Sequence, residues 1–195
     1  MKLEVDQKKI CSIEEYFLNN ILNQINDNDW FIDDYRKNVG NMEHVNSIPI
    51  HHSPKCGYDP NAIYSVEKRV LYKKYYQLIK PILKQLKKYY TYNFHASFIA
   101  RLKPFSEIGI HRDLGDFVMK CHRIHVPLQT NKNVKYWIQG KEYYWEKGYA
   151  YEFDNSLVHG VFNRSDQYRI HLILNLYNLN EDELKKTNNT KFRYF

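Results

Sequence analysis

Two histidines and an aspartate in this 195-residue chain have the types and spacing of a metal site. His111 and Asp113 flank a single residue in Ile110-His111-Arg112-Asp113, and His159 ends the run Phe153-Asp154-Asn155-Ser156-Leu157-Val158-His159. Residues i and i+2 of an extended segment face the same side, so His111 and Asp113 point together while Arg112 points away. Neutral imidazole and ionised carboxylate are both metal ligands, provided they converge on one point. His159 must then arrive from a distant strand, and a jelly roll can return a strand to the same sheet mouth. Two histidines and one carboxylate on one face of Fe(II) leave three positions open for a co-substrate and O₂, which is oxygenase chemistry. By itself an H-x-D pair is weak evidence, and a buried histidine is more often a hydrogen-bonded core residue than a ligand.

Arg169, ten residues after His159, adds weight. It opens the apolar run Ile170, Leu172, Leu174, Leu176, so an inward-pointing guanidinium needs a partner. A guanidinium offers a planar two-pronged fork to a carboxylate, as lysine does not. A dicarboxylate co-substrate such as 2-oxoglutarate would supply that carboxylate; a salt bridge to Asp166 or Glu152 is the structural alternative. Arg123 and His125 share a strand face by the same period of two, and Ser97 could donate one more hydrogen bond. His171 shares the Arg169 face and reads as a supporting or core residue.

The elements that must position these groups follow from periodicity. Ser12-Ile13-Glu14-Glu15 fits a capping box, and Ile13, Tyr16, Phe17, Ile21 and Ile25 follow at helical spacing, which predicts a helix over 12–26. Residues 33–61 are irregular, with a short strand possible at 45–50 and a turn-rich loop from Ser53 to Pro60; with His44, His51 and His52 this segment could be a lid. Residues 63–89 predict a helix with Val66, Val70, Leu78, Ile82 and Leu86 on one face and lysines on the other, kinked or broken at Pro81. From Tyr92 the period changes to two. Strands are expected at 92–102, 119–128, 134–139, 142–145, 149–153, 159–163 and 169–177, separated by turn residues. Seven evenly spaced strands suggest a double-stranded β-helix, or jelly roll, with the N-terminal helices packed on one sheet. The polar tail from Asn180 reads as a helix that frays. The expected organisation is one domain over 1–195, with 1–90 as mainly helical support and 91–178 as the core that holds the site. Tyr136, Trp137 and Tyr144 either line the mouth or pack the sheet, the commoner fate of aromatics.

Composition sets outer bounds. The chain is 43% hydrophobic and 16% aromatic, so it is globular rather than disordered. Its formal net charge is +7, which fits either a polyanion partner or an overall bias toward lysine. The lysine face of 68–88 could contact nucleic acid, though such runs are usually solvated helix faces. Three widely spaced cysteines, Cys11, Cys56 and Cys121, make neither a disulfide framework nor a C-x-x-C site, and Cys121 reads as a small core residue. The sequence holds no signal-peptide pattern and no apolar run of about 18 residues, so an intracellular, cytoplasmic protein without a membrane partner is expected.

Residues 97–177 resemble the aspartyl/asparaginyl β-hydroxylase family of Fe(II)/2-oxoglutarate-dependent oxygenases. The resemblance lies in Ile108-Gly109-Ile110-His111-Arg112-Asp113, Arg123-Ile124-His125-Val126-Pro127-Leu128, Trp145-Glu146-Lys147-Gly148, Phe153 to His159, and Arg169-Ile170-His171-Leu172-Ile173. It implies a cupin-like jelly roll, Fe(II) on His111, Asp113 and His159, and 2-oxoglutarate on Arg169 with Arg123, His125 and Ser97 as helpers. The implied activity is a dioxygenase that hydroxylates an amino-acid residue or a free amino acid and releases succinate and CO₂. Its substrate would be a small molecule or a protein or peptide. The animal aspartyl hydroxylases carry glycine where this chain has Asp113. The chain is thus more similar to the microbial members, some of which hydroxylate free amino acids such as proline. Two other readings stay open on the residues alone: a jelly-roll metal- or ligand-binding protein without oxygenase activity, and an oxygenase acting on nucleic acid.

Overall fold

The computed structural model describes residues 3–33, 42–55, 59 and 61–188. In chain order these form β1 (Gln7–Ser12), α1 (Glu15–Gln24), α2 (Asp29–Ile32), β2 (Val45–His52), β3 (Glu67–Lys68), α3 (Tyr72–Leu86), β4 (Phe94–Leu102), β5 (Ser106–His111), α4 (Asp116–Met119), β6 (His122–Gln129), β7 (Val134–Ile138), β8 (Lys141–Tyr143), β9 (Tyr149–Phe153), β10 (His159–Asn163), β11 (Arg169–Tyr177) and α5 (Glu181–Asn188). The strands make two antiparallel sheets, a large one ordered β1-β9-β6-β11-β4-β2-β3 and a small one ordered β5-β10-β7-β8. This is the expected jelly roll.

Side-chain parity divides the large sheet into two faces. Leu172, Leu174 and Leu176 of β11, with Ile99 of β4 and Ile124, Val126 and Leu128 of β6, turn outward onto Leu18, Ile21, Trp30, Tyr75, Ile79, Ile82 and Leu86 of the helices. Phe98, Ala100 and Leu102 of β4, Ile173 of β11 and Phe153 of β9 turn inward, onto Ile108, Val134, Tyr136, Ile138 and Val161 of the small sheet. The functional side chains lie among this second group, between the sheets.

The N-terminal half differs from a purely helical support. It contributes β1, β2 and β3 to the large sheet. β1 is polar at most positions and lies at the sheet edge against β9, so it carries little alternating apolar signal. Much of the segment expected to be irregular is β2, which runs through Pro49 where it has β4 as its only strand partner, a place that tolerates the missing N–H. The loop expected after Ser53 lies partly outside the described residues, as do Cys56 and the tail beyond Asn188. The capping box does not form: Ser12 ends β1, α1 starts at Glu15, and Glu14 makes no side-chain cap bond. The helix expected from residue 63 starts at Tyr72 and runs unbroken past Pro81. Ahead of it lie a 3-10 turn and β3, and Val70, expected on the apolar face, is 70% exposed. No described helix is long and apolar enough to cross a membrane.

Candidate active site

His111 ends β5 and His159 begins β10, and the two are directly paired across the small sheet. Gly160 allows this approach, since a Cβ there would lie 3.2 Å from the Ile108 carbonyl oxygen. The two rings stand 4.3 Å apart between centroids. Each imidazole donates Nδ1–H to a carbonyl two residues back, His111 to Gly109 at 2.7 Å and His159 to Leu157 at 2.8 Å. That tautomer leaves Nε2 as a lone-pair donor, the form a metal needs. Asp113 follows β5 with Oδ1 3.4 Å from His111 Nε2. One ligand atom from each of His111, Asp113 and His159 lies within 4.8 Å of the others, close enough for the three to hold a metal ion.

The electrostatics suit a cation. Burial pushes the Asp113 carboxyl up, but the Arg123 guanidinium and the facing His111 and His159 rings outweigh it and hold the group well below the carboxylate range. Asp113 is therefore ionised. The facing Asp113 carboxylate raises the pKa of His111, whereas burial lowers that of His159. Arg123 Nε stands 3.7 Å from Asp113 Oδ2.

These groups open onto a small cavity, partly open to solvent, whose other walls include Met42, Ile108, Ile138, Phe153, Val161 and Ile173. Arg169 reaches the same cavity from the start of β11. It is 2% exposed, and its Nε and Nη2 donate to the Tyr136 hydroxyl at 2.8 and 2.6 Å. No carboxylate among the described residues pairs with it. Of the two acids that could have done so, Glu152 accepts from Tyr90 and pairs with His122 on the helix side, and Asp166 is exposed. Tyr136 is held by Trp145, stacked on it at 3.7 Å, and its hydroxyl lies 3.2 and 3.3 Å from the two His171 ring nitrogens. Burial pushes the phenol up to about 12 against the pull of Arg169, so it stays protonated. His125 also lines the cavity, and neither of its ring nitrogens has a hydrogen-bond partner among the described residues. Burial keeps that ring neutral, so it offers one donor and one acceptor to whatever enters.

The structure thus gathers His111, Asp113, His159, Arg123, His125 and Arg169 around one cavity. Ser97 does not join them. It pairs with Leu174 across the sheet and shares that residue's outward face, toward the helices. The inward hydroxyl in this region is Ser47 of β2, opposite Ala100, fully buried and without a hydrogen-bond partner among the described residues. Tyr136 belongs to the cavity, whereas Trp137, next in β7, takes the other face and is only half-buried. Of the expected lid histidines, His51 turns toward the helices against His95 and Tyr72, and His52 packs between Phe98 and Phe117. Tyr136 was expected to line the mouth or pack the sheet, but its bond to Arg169 went unread, as did Asn155, which holds Asp113, because both contacts join distant segments.

Solved structures of similar fold include an oxidoreductase of the 2OG-Fe(II) oxygenase family from Burkholderia pseudomallei, with a TM-score of 0.61 at 14% identity over 91% of this chain and 86% of that one. The viral collagen prolyl hydroxylase of Paramecium bursaria Chlorella virus-1, in complex with 2OG, gives 0.56 at 13% identity over 91% and 98%. A prolyl-4-hydroxylase from Pseudomonas putida gives 0.55 at 10% identity over 91% and 95%. At these identities the likeness is one of fold. No curated protein sequence matches the chain significantly. The sequence profile of the aspartyl/asparaginyl beta-hydroxylases matches residues 67–178, from β3 through the end of β11, and the chain belongs to that family.

Proposed function

We propose that this chain is an Fe(II)/2-oxoglutarate-dependent dioxygenase that hydroxylates an amino-acid residue or a free amino acid and releases succinate and CO₂. The observation that carries the reading is Arg169, a buried guanidinium that shares the cavity of the His-Asp-His cluster and has no carboxylate partner among the described residues. A buried cation without a counter-charge is costly, and a dicarboxylate co-substrate removes that cost.

His111, Asp113 and His159 would hold the iron, and the donor set fits it: two imidazoles with Nε2 free and one carboxylate that stays ionised. When bound, the iron supplies the activation of O₂, driven by oxidative decarboxylation of 2-oxoglutarate, and the hydroxylation of the substrate. The chain's own residues bind and orient. Arg169, its plane set by Tyr136, anchors the distal carboxylate; Arg123 and His125 offer donors nearer the metal cluster. Ile108, Ile138, Val161 and Ile173 keep the intervening wall apolar and limit water. The whole of 1–195 acts as one oxygenase domain in this reading, supported by the three strands that the N-terminal half adds to the large sheet.

Succinate release, screened across free amino acids, peptides and nucleic acids with Fe(II) and 2-oxoglutarate, tests the proposal. Free proline, prolyl peptides and aspartyl or asparaginyl peptides are the first substrates to try. Asp113→Ala and His159→Ala should abolish release, and full turnover in either iron-loaded variant overturns the triad. Arg169→Ala should raise the 2-oxoglutarate requirement at least tenfold, the scale of a lost charge-assisted pair, with iron binding little changed. An unchanged requirement excludes Arg169 as the anchor.

A further inference from the structure

Asn155 is buried at 6% exposure and joins three segments near the site. Its backbone carbonyl accepts the N–H of Asp113 at 3.1 Å. Its side-chain amide donates to Asp113 Oδ2 at 3.2 Å and to the Val118 carbonyl in α4 at 2.9 Å. An amide nitrogen carries two hydrogens, and these two acceptors use both. The segment after β5, helix α4 and the turn that leads into His159 are thereby tied to one side chain.

The ties make the two oxygens of Asp113 unequal. Oδ2 receives the Asn155 amide and faces Arg123 Nε at 3.7 Å. Oδ1 is turned to His111 Nε2 at 3.4 Å. A carboxylate held in this way presents one oxygen to a metal and keeps the other back. A carboxylate free to rotate could chelate through both oxygens and occupy a coordination position that a co-substrate or O₂ requires.

We propose that Asn155 is a positioning residue for the metal: it fixes Asp113 as a ligand through Oδ1 alone and, from four residues before His159, sets the spacing between those two ligands. This rests on the reading of His111, Asp113 and His159 as metal ligands. The arrangement is specific to the amide. Aspartate at 155 has the same shape but no side-chain N–H, so it would take the amide donor from the Val118 carbonyl and Asp113 Oδ2 and add a second negative charge beside the first.

Titration of the ion-free protein with Co(II), followed by calorimetry and by the visible absorption of the bound ion, tests this. Wild type, Asn155→Ala, Asn155→Asp, Asp113→Ala and the double variant Asp113→Ala/Asn155→Ala are compared, with the melting temperature of each ion-free protein as a check on folding. Asn155→Ala should bind Co(II) about 10- to 100-fold more weakly, the usual effect of removing a partner of a metal ligand. Its Co(II) spectrum should also change as the carboxylate alters its mode of binding. In the Asp113→Ala background, where two imidazoles remain, loss of Asn155 should add no further weakening. If Asn155→Ala does not fold, Asn155→Asp, which keeps the volume, carries the same comparison against wild type. Unchanged affinity and spectrum in a folded Asn155 variant overturn the proposal. Equal weakening in both backgrounds also overturns it, because Asn155 would then act on the fold and not through Asp113. Equal affinity of wild type and Asp113→Ala is a separate result, and it would remove the metal-ligand reading itself.

Discussion

Two N–H groups of Arg169 converge on a single oxygen, the hydroxyl of Tyr136. That geometry fixes the guanidinium plane and leaves the remaining N–H groups free for an incoming carboxylate. Tyr136→Phe keeps the stack with Trp145 but frees the arginine to rotate. The variant should raise the 2-oxoglutarate concentration needed for half-maximal succinate release by about tenfold, roughly 1.4 kcal/mol, while Co(II) affinity stays within twofold. An unchanged requirement would reduce Tyr136 to a packing ring. At this scale the His111, Asp113 and His159 cluster and Arg169 were legible because each carries chemistry in its own type and spacing. Tyr136 could be read only as a ring that lines the mouth or packs the sheet, and its bond to Arg169 shows only where β7 meets the start of β11. Ser97 misled for a related reason: period-two alternation groups residues by face without saying which face is inward, and the pairing of Ser97 with Leu174 decides that.

The short hairpin of β7 and β8 shows how an element serves the site. Ile138 pairs with Lys141, so Gln139 and Gly140 form a two-residue turn, with φ of 49° and 85°. Both are left-handed, the pattern of a type I′ turn, which favours asparagine or glycine at the first position and glycine at the second. The turn is tied to the site, since the Gln139 N–H donates to the carbonyl of Val158, the residue before His159, at 3.1 Å. Gln139→Asn should stabilise the protein by about 0.5 kcal/mol in urea unfolding, and Gly140→Ala should cost about 1 kcal/mol. A neutral Gly140→Ala would show that the positive φ costs nothing there. The strands from β4 to β11 stood out in the sequence wherever apolar and polar residues alternate between turn signals. β1 and β5 were not read: both are edge strands, β1 polar at most positions and β5 opening on Ser106 and Glu107. The boundaries of α1 and α3 were misplaced where helical spacing ran by coincidence into neighbouring segments, as with Val70.

Across the whole molecule, the outward face of the large sheet holds a second pair of histidines, His51 and His95, with ring centroids 5.0 Å apart. Burial lowers the first to about 4 and the second to about 3, against 6.5 for a free imidazole. Both are neutral in the fold, and the unfolded chain takes up a proton at each before the folded chain does. Their contribution to stability is therefore complete above pH 6.5 and is lost as the pH falls through about 4. Each proton tilts the balance by about 1.4 kcal/mol per pH unit within that window. Urea midpoints of the ion-free protein should fall between pH 7 and pH 4.5, and His95→Gln should flatten the decline. A midpoint independent of pH over that range would contradict the burial of both rings. The same large sheet also dictates an order of assembly. Lys9 of β1 meets Glu146, 137 positions later, and β1 pairs along its length with β9. During synthesis β1 leaves the ribosome long before β9 and waits for most of the sheet to follow it before its partner exists. Pairing at such distance is slow, and an unpaired strand edge is open to wrong partners until it closes. The polar, lysine-bearing sequence of β1, which hid the strand from periodicity, is well suited to that wait: a charged strand can stay solvated and unaggregated until β9 arrives.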